Sequence, residues 1–117
     1  MKYMSFICAL IGCTVAVAGG SEPDLQFFEK QIRPVLVKHC YSCHSSTAKK
    51  VQGGLLLDTR EGIRRGGDSG PAVVARKPEM SLLLKAIEYR DPSLQMPPNN
   101  RLPLEIAENF RRWISDG

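Results

Sequence analysis

The segment His39–Ser46, HCYSCHSS, concentrates the residues of this chain that could do chemistry. Two residues separate Cys40 from Cys43, and His44 follows the second cysteine directly. Thiols and an imidazole spaced this closely can bind a metal, exchange thiols, form a disulfide or attach a prosthetic group covalently. The rest of the chain must therefore distinguish among these four chemistries.

Three of the four chemistries have little support in the sequence. A structural zinc site usually takes four ligands from two separated pairs, and the chain has no second Cys-x-x-Cys motif. A thioredoxin-type redox pair needs a βαβ context, and the flanking residues show no strand–helix–strand alternation. A local disulfide between Cys40 and Cys43 is plausible in an oxidising compartment, but it leaves His44 without a role.

Covalent attachment of haem uses all three residues. In a CxxCH motif each thiol forms a thioether with one vinyl group of the haem, and the histidine coordinates the iron. We therefore expect one covalent haem c, anchored by Cys40 and Cys43, with His44 as the proximal ligand. The other histidine, His39, cannot reach the opposite face of the ring, and we expect it to be solvated or to cap the helix.

The sixth coordination position of the iron requires another donor, and two methionines follow residue 18, Met80 and Met96. Met80 precedes a leucine-rich segment, and we interpret it as a core residue. Met96 lies in the loop DPSLQMPPNNR, where Pro97 and Pro98 stiffen the backbone. We predict Met96 as the distal ligand; the alternative is a methionine that fills a gap in the core.

The first eighteen residues have the layout of a signal peptide. Lys2 precedes an uncharged, mostly apolar run, and Ala16-Val17-Ala18 has the small-x-small pattern of a cleavage site. We expect residues 1–18 to direct export to the periplasm or cell envelope. Residues 19–117 are then expected to form one monohaem domain.

A second processing pattern overlaps this leader. The segment Leu10-Ile11-Gly12-Cys13 is similar to the lipobox of bacterial lipoproteins, whose cysteine is lipidated. A lipid anchor at Cys13 therefore stays open as an alternative to cleavage after Ala18. No second apolar stretch downstream is long enough to predict a membrane span.

Size and charge limit what the remaining residues can do. The chain has 117 residues with 10 glycines, 8 prolines and only 7% aromatic residues, so a bound group would enlarge a small core. Removing residues 1–18 takes away one lysine, which lowers the formal net charge from +4 to +3. This charge is too small to predict nucleic-acid binding.

Hydrophobic periodicity over residues 24–38 predicts an amphipathic helix that leads directly into Cys40. Pro34 cannot donate a hydrogen bond to residue 30, so we expect it to kink or split this helix. The predicted inward face comprises Leu25, Phe28, Ile32, Val35 and Leu36.

Two further helices are predicted beyond a loop-rich middle, in which one helical turn near 59–65 and a buried segment Leu55–Leu57 are expected. The second helix runs from residue 78 or 81 to about Tyr89, and Pro92 ends it. The third begins at Pro103 and ends at Gly117. The inward residues are Leu82, Leu83, Ala86 and Ile87 in the second helix, and Ile106, Ala107, Phe110, Trp113 and Ile114 in the third. The architecture is all-α, and we expect Trp113 and Phe110 to pack against Phe28.

These segments together resemble a c-type cytochrome, and more narrowly the planctomycete-type cytochrome c domain. The resemblance extends over most of residues 24–117. It implies a small cytochrome c-like fold, with about three main helices around one haem held by the CxxCH motif and by the methionine of the MPP segment. The segments that carry it are FFEKQIRPVLVKHCYSCHS, GGLLLDTREGIRRGGDSGPAVV, KPEMSLLLKAI and MPPNNRLPLEIAENFRRWISDG.

The expected function is that of an exported electron carrier rather than an enzyme, with another redox protein or domain as its partner. Arg60, Arg64 and Arg65 are candidates to pair with the haem propionates; the alternative is a solvated run of charges. Family members are often the N-terminal part of longer exported proteins.

Two alternatives stay open. If Met96 is labile or absent from the iron, the protein is a haem-based sensor or a weak peroxidase. If there is no haem, the domain is a disulfide-bonded or metal-bound interaction module. A high-spin, water-bound ferric spectrum would favour the first, and a colourless protein would favour the second.

Overall fold

The computed structural model describes Gly12 and residues 21–117. The predicted signal peptide and Cys13 therefore lie outside the described residues. The described residues contain no β-strand and only isolated bridges, which confirms the all-α class. No helix in the described part of the chain is long and apolar enough to cross a membrane. The α-helices are α1 Glu22–Phe27, α2 Arg33–His39, α3 Arg60–Arg65, α4 Leu82–Ile87 and α5 Leu104–Asp116.

Pro34 splits the first predicted helix without stopping it. A π-helical segment, Phe28–Ile32, joins α1 to α2, and the backbone N–H of Arg33 donates to the carbonyl of Phe28. Pro34 thus lies in the first turn of α2, where a residue without a backbone N–H is tolerated.

The π segment also explains one error in the predicted inward face. Ile32 and Leu36 are fully buried as expected, but Leu25 is 56% exposed. A π turn holds more residues than an α turn, so residues before it are rotated relative to the face that follows. Leu25 therefore lies outside the stripe that an uninterrupted α-helix would have presented to the core.

Helix α5 packs against the π segment and α4 and supplies much of the core. Ala107, Phe110 and Ile114 are buried on its inner face, as predicted. The ring centroids of Phe28 and Trp113 are 5.4 Å apart, and Trp113 meets Phe110 edge to face at 6.1 Å. This aromatic cluster confirms the predicted contact between the last helix and the first. Gly117 caps α5, as expected.

The segment around α4 differs from the prediction. Met80 is 60% exposed at the end of a 3-10 turn, Pro78–Met80, so its interpretation as a core residue was wrong. Ser81 takes the inward position instead, where its hydroxyl accepts from the backbone N–H of Val74 at 3.0 Å and donates to the carbonyl of Lys77 at 3.0 Å.

The end of α4 also lies earlier than expected. Pro92 does not end it, because the helix stops at Ile87 and Tyr89 already has a left-handed backbone with φ of 58°. The buried residues of α4 include Leu84, while Leu82 is half-buried. Leu57 is buried, and Leu55 and Leu56 are half-buried.

An ion-pair network joins the region around α4 to α5. Arg111 contacts Glu79 and also Glu88, the latter at 2.8 Å, and Arg90 contacts Glu79 at 2.8 Å. Hydrogen bonds from Arg111 and Arg90 lower the pKa of Glu79 from 4.5 to about 2. No local pattern predicts this network, because Arg111 lies 32 residues beyond Glu79 along the chain.

We expect the Glu79→Gln substitution to lower the unfolding midpoint by a few degrees at most at neutral pH, because these ion pairs are exposed. The pKa of Glu79 is lower in the folded state, so its stabilisation is fully present above pH 4.5 and is lost as the pH falls toward about 2. Thermal unfolding followed by circular dichroism should therefore show the unfolding midpoints of the unaltered protein and of Glu79→Gln converging as the pH falls from 4.5 toward about 2. Glu108→Gln, at an exposed position of the same helix as Arg111, is the control.

Candidate functional site

The predicted attachment motif occupies a tight turn directly after α2. The N–H of Cys40 donates to the carbonyl of Leu36 at 2.9 Å, which continues the helical pattern into the motif. The N–H groups of Cys43 and His44 then both donate to the carbonyl of Cys40, at 3.2 Å and 2.9 Å. One turn of backbone therefore carries both thiols and the imidazole.

A second segment, residues 52–58, holds this turn from the side. The N–H of Gln52 donates to the carbonyl of Cys43 at 2.9 Å, and the N–H of Leu57 donates to the carbonyl of His44 at 2.8 Å. The motif is thus fixed at its helix end by α2 and at its histidine end by a distant part of the chain.

Asp58 adds a side-chain attachment that sequence reasoning missed. Its Oδ2 accepts from the backbone N–H of Ser46 at 3.0 Å and from the Ser46 hydroxyl at 2.6 Å. These hydrogen bonds lower the pKa of Asp58. The available signal in the sequence was an isolated acid between the apolar Leu55–Leu57 segment and the N-cap residue Thr59.

The two cysteines of the motif differ in their surroundings. Cys43 is exposed, whereas Cys40 is half-buried and packs against the hydrophobic core. Burial, and secondarily the nearby Cys43, raise the pKa of the Cys40 thiol to about 11, so it is protonated at neutral pH. The two thiols that the motif offers for attachment therefore differ in exposure.

The imidazole of His44 is half-buried, and its Nδ1 atom is buried without a hydrogen-bond partner. A buried polar atom left unpaired costs about 1–3 kcal/mol. An imidazole that directly follows two cysteine thiols on one turn of backbone matches the donor set that a c-type haem requires. The residues present therefore fit the group that the motif predicts.

Met96 lies half-buried in the loop between α4 and α5. Its backbone N–H donates to the carbonyl of Ala86 at 3.1 Å, and the hydroxyl of Tyr89 donates to the carbonyl of Pro97. The peptide bond between Met96 and Pro97 is cis. The loop that carries the predicted distal ligand is thus attached at Met96 to α4 and at Pro97 to Tyr89, which follows the end of α4.

A cleft of about 480 Å³ separates the end of α2 from the segment that follows Met96. Lys38 and the exposed His39 line it beside the cysteine motif, residues 97–103 line it beyond the methionine, and Ile106 contributes from α5. The four predicted haem-binding residues are not among its lining residues. The cleft is therefore lined by residues that adjoin the cysteine motif and Met96 in sequence, and not by the predicted ligands themselves.

The three candidate propionate partners, Arg60, Arg64 and Arg65, are exposed on α3. Among the described residues they form no ion pair, and their pairing with haem propionates stays a prediction. Within the same residues, no group of three or more His, Cys, Asp or Glu side chains could hold a metal ion.

Comparison with known families gives a match over much of the described chain. The family described as Planctomycete cytochrome C matches residues 40–100, just over half of the chain, and this range begins at Cys40 and includes Met96. No curated protein and no solved structure matches the chain. The family match confirms the resemblance found in the sequence, and this chain belongs to the Planctomycete cytochrome C family.

Proposed function

We propose that this protein is an exported c-type cytochrome that carries one covalent haem and transfers single electrons to or from another redox protein. Membership of a cytochrome c family implies haem binding. The observation that supports the finer proposal is the turn at residues 40–44. It places the two cysteine thiols and the imidazole of His44 together on one turn of backbone.

In this proposal Cys40 and Cys43 anchor the haem through thioethers, His44 is the proximal ligand of the iron and Met96 the distal one. When bound, the haem supplies a one-electron couple whose potential is raised by His/Met ligation. The chain itself supplies the position of the ligands. Hydrogen bonds to the backbone of residues 40–44 fix the turn that carries His44, and those with Ala86 and Tyr89 fix the backbone of the Met96 loop.

The proposal of a carrier rather than an enzyme follows from this ligand set, because two protein ligands leave no position on the iron for a substrate. Electron carriers meet their partners through small, transient interfaces. The residues that line the cleft beside the motif include Lys38, His39 and Arg101 but no carboxylate. A redox partner with an acidic surface would complement them.

The test is a pyridine haemochrome assay combined with intact mass measurement on the full chain, expressed in a host with the cytochrome c maturation machinery. We expect one haem per chain and a mass equal to the processed polypeptide plus one haem. The same mass reports whether cleavage follows Ala18 or lipidation occurs at Cys13. A colourless protein with the mass of the bare polypeptide would contradict the proposal. A high-spin, water-bound ferric iron would favour a sensor or a peroxidase.

A further inference from the structure

The junction between the cysteine motif and residues 57–58 leaves two polar atoms unexplained. Among the residues that the structure describes, Nδ1 of His44 and Oδ1 of Asp58 are both buried without a hydrogen-bond partner. They belong to segments in direct contact, since the N–H of Leu57 donates to the carbonyl of His44 and Ser46 donates twice to Asp58. Nδ1 of His44 can carry a hydrogen and donate it in a hydrogen bond, whereas Oδ1 of the Asp58 carboxylate can only accept one.

The two oxygens of the Asp58 carboxylate differ in their hydrogen bonding. Oδ2 takes both donors of Ser46, at 3.0 Å and 2.6 Å, which fixes the carboxylate beside the turn. Oδ1 keeps its full accepting capacity and is shielded from water. A histidine that binds metal through one nitrogen usually donates its other N–H to a carboxylate, a carbonyl or a water, which sets the tautomer and the ring orientation.

We propose that Asp58 is the positioning residue of the proximal ligand: in the haem-loaded protein its Oδ1 accepts the Nδ1–H of His44, which leaves Nε2 for the iron. This inference rests on the proposed function. It adds a role for a residue that lies 14 positions beyond the motif. A carboxylate acceptor makes the imidazole a stronger electron donor, which stabilises the oxidised iron.

The decisive variant is Asp58→Asn. The amide oxygen of asparagine can still accept from Ser46, but its NH₂ group cannot accept from the imidazole. We expect Asp58→Asn to keep one covalent haem and to raise the reduction potential. Two controls separate other causes. Asp68→Asn removes the same charge at an exposed position, and Ser46→Ala weakens the attachment to Oδ2 while leaving Oδ1 in place.

The proposal predicts a larger rise in potential for Asp58→Asn than for Asp68→Asn, and little change for Ser46→Ala. Equal potentials for the two aspartate variants would overturn it.

A second measurement uses the unaltered protein, so it does not depend on whether the variants fold. In the ferrous state, ¹⁵N NMR should show the Nδ1–H of His44 strongly hydrogen-bonded and slow to exchange, and rapid exchange would contradict the proposal. Haem content of the unaltered protein is measured first, so a failure of haem attachment itself is recognised separately.

Discussion

Substituting serine for both Cys40 and Cys43 should give an exported chain with no covalent haem, a fall from one per chain to none. Serine hydroxyls form no thioethers with the haem vinyl groups, so His44 would be left as a single, reversible attachment on this turn. We also expect the chain to lose much of its helicity, because a domain of this size has little core of its own. Pyridine haemochrome and far-ultraviolet circular dichroism measure the two effects.

Cys8→Ser is the matched control for this experiment. Cys8 lies in the predicted leader, so either processing site would remove it from the mature protein, and the variant should carry a full complement of haem. Cys43→Ser alone should retain haem through one thioether at the half-buried Cys40. Covalent haem in the double variant would show that the attachment lies elsewhere in the chain.

Met96→Ala should keep the covalent haem but lose the absorption band of the thioether–iron bond, and its reduction potential should fall. Axial ligands set haem potentials over a range of about 0.8 V, so we expect a decrease on the order of 0.1 V. Optical spectra of the ferric protein and a potentiometric titration measure both effects. The substitution leaves the backbone N–H of residue 96 in place, so its hydrogen bond to Ala86 can persist.

Met80→Ala is the control for this experiment, since Met80 is 60% exposed at the end of a 3-10 turn. It should leave the band and the potential unchanged. If the band survives in Met96→Ala and disappears in Met80→Ala, the distal role belongs to Met80. If neither variant changes the spectrum, the sixth ligand is not a methionine.

Sequence patterns predicted the helices well where one apolar stripe continues without interruption. Helix α5 shows this, because the periodicity of Ala107, Phe110 and Ile114 matches the residues that are buried. The same reasoning failed for Leu25, because the π segment Phe28–Ile32 rotates the residues before it relative to the apolar face that follows. It failed for Met80 because a short turn, rather than α4 itself, places that residue.

The candidate site shows a similar division. The spacing of Cys40, Cys43 and His44 can be seen in the sequence, since all three lie on one turn. The attachments that hold this turn pair residues that are distant along the chain, such as Ser46 with Asp58. A hydrogen bond between residues 12 positions apart depends on how the intervening loop folds, and no local pattern reports it.

The anchoring of the loop around Met96 has a consequence for the speed of electron exchange. The backbone N–H of Met96 donates to the carbonyl of Ala86 in α4, and the carbonyl of Pro97 accepts from the hydroxyl of Tyr89, just beyond α4. A backbone held in this way would keep the attachment point of the Met96 side chain in nearly the same place whether the iron is ferrous or ferric. Little nuclear rearrangement would then accompany each redox event, so a brief encounter with a partner would suffice.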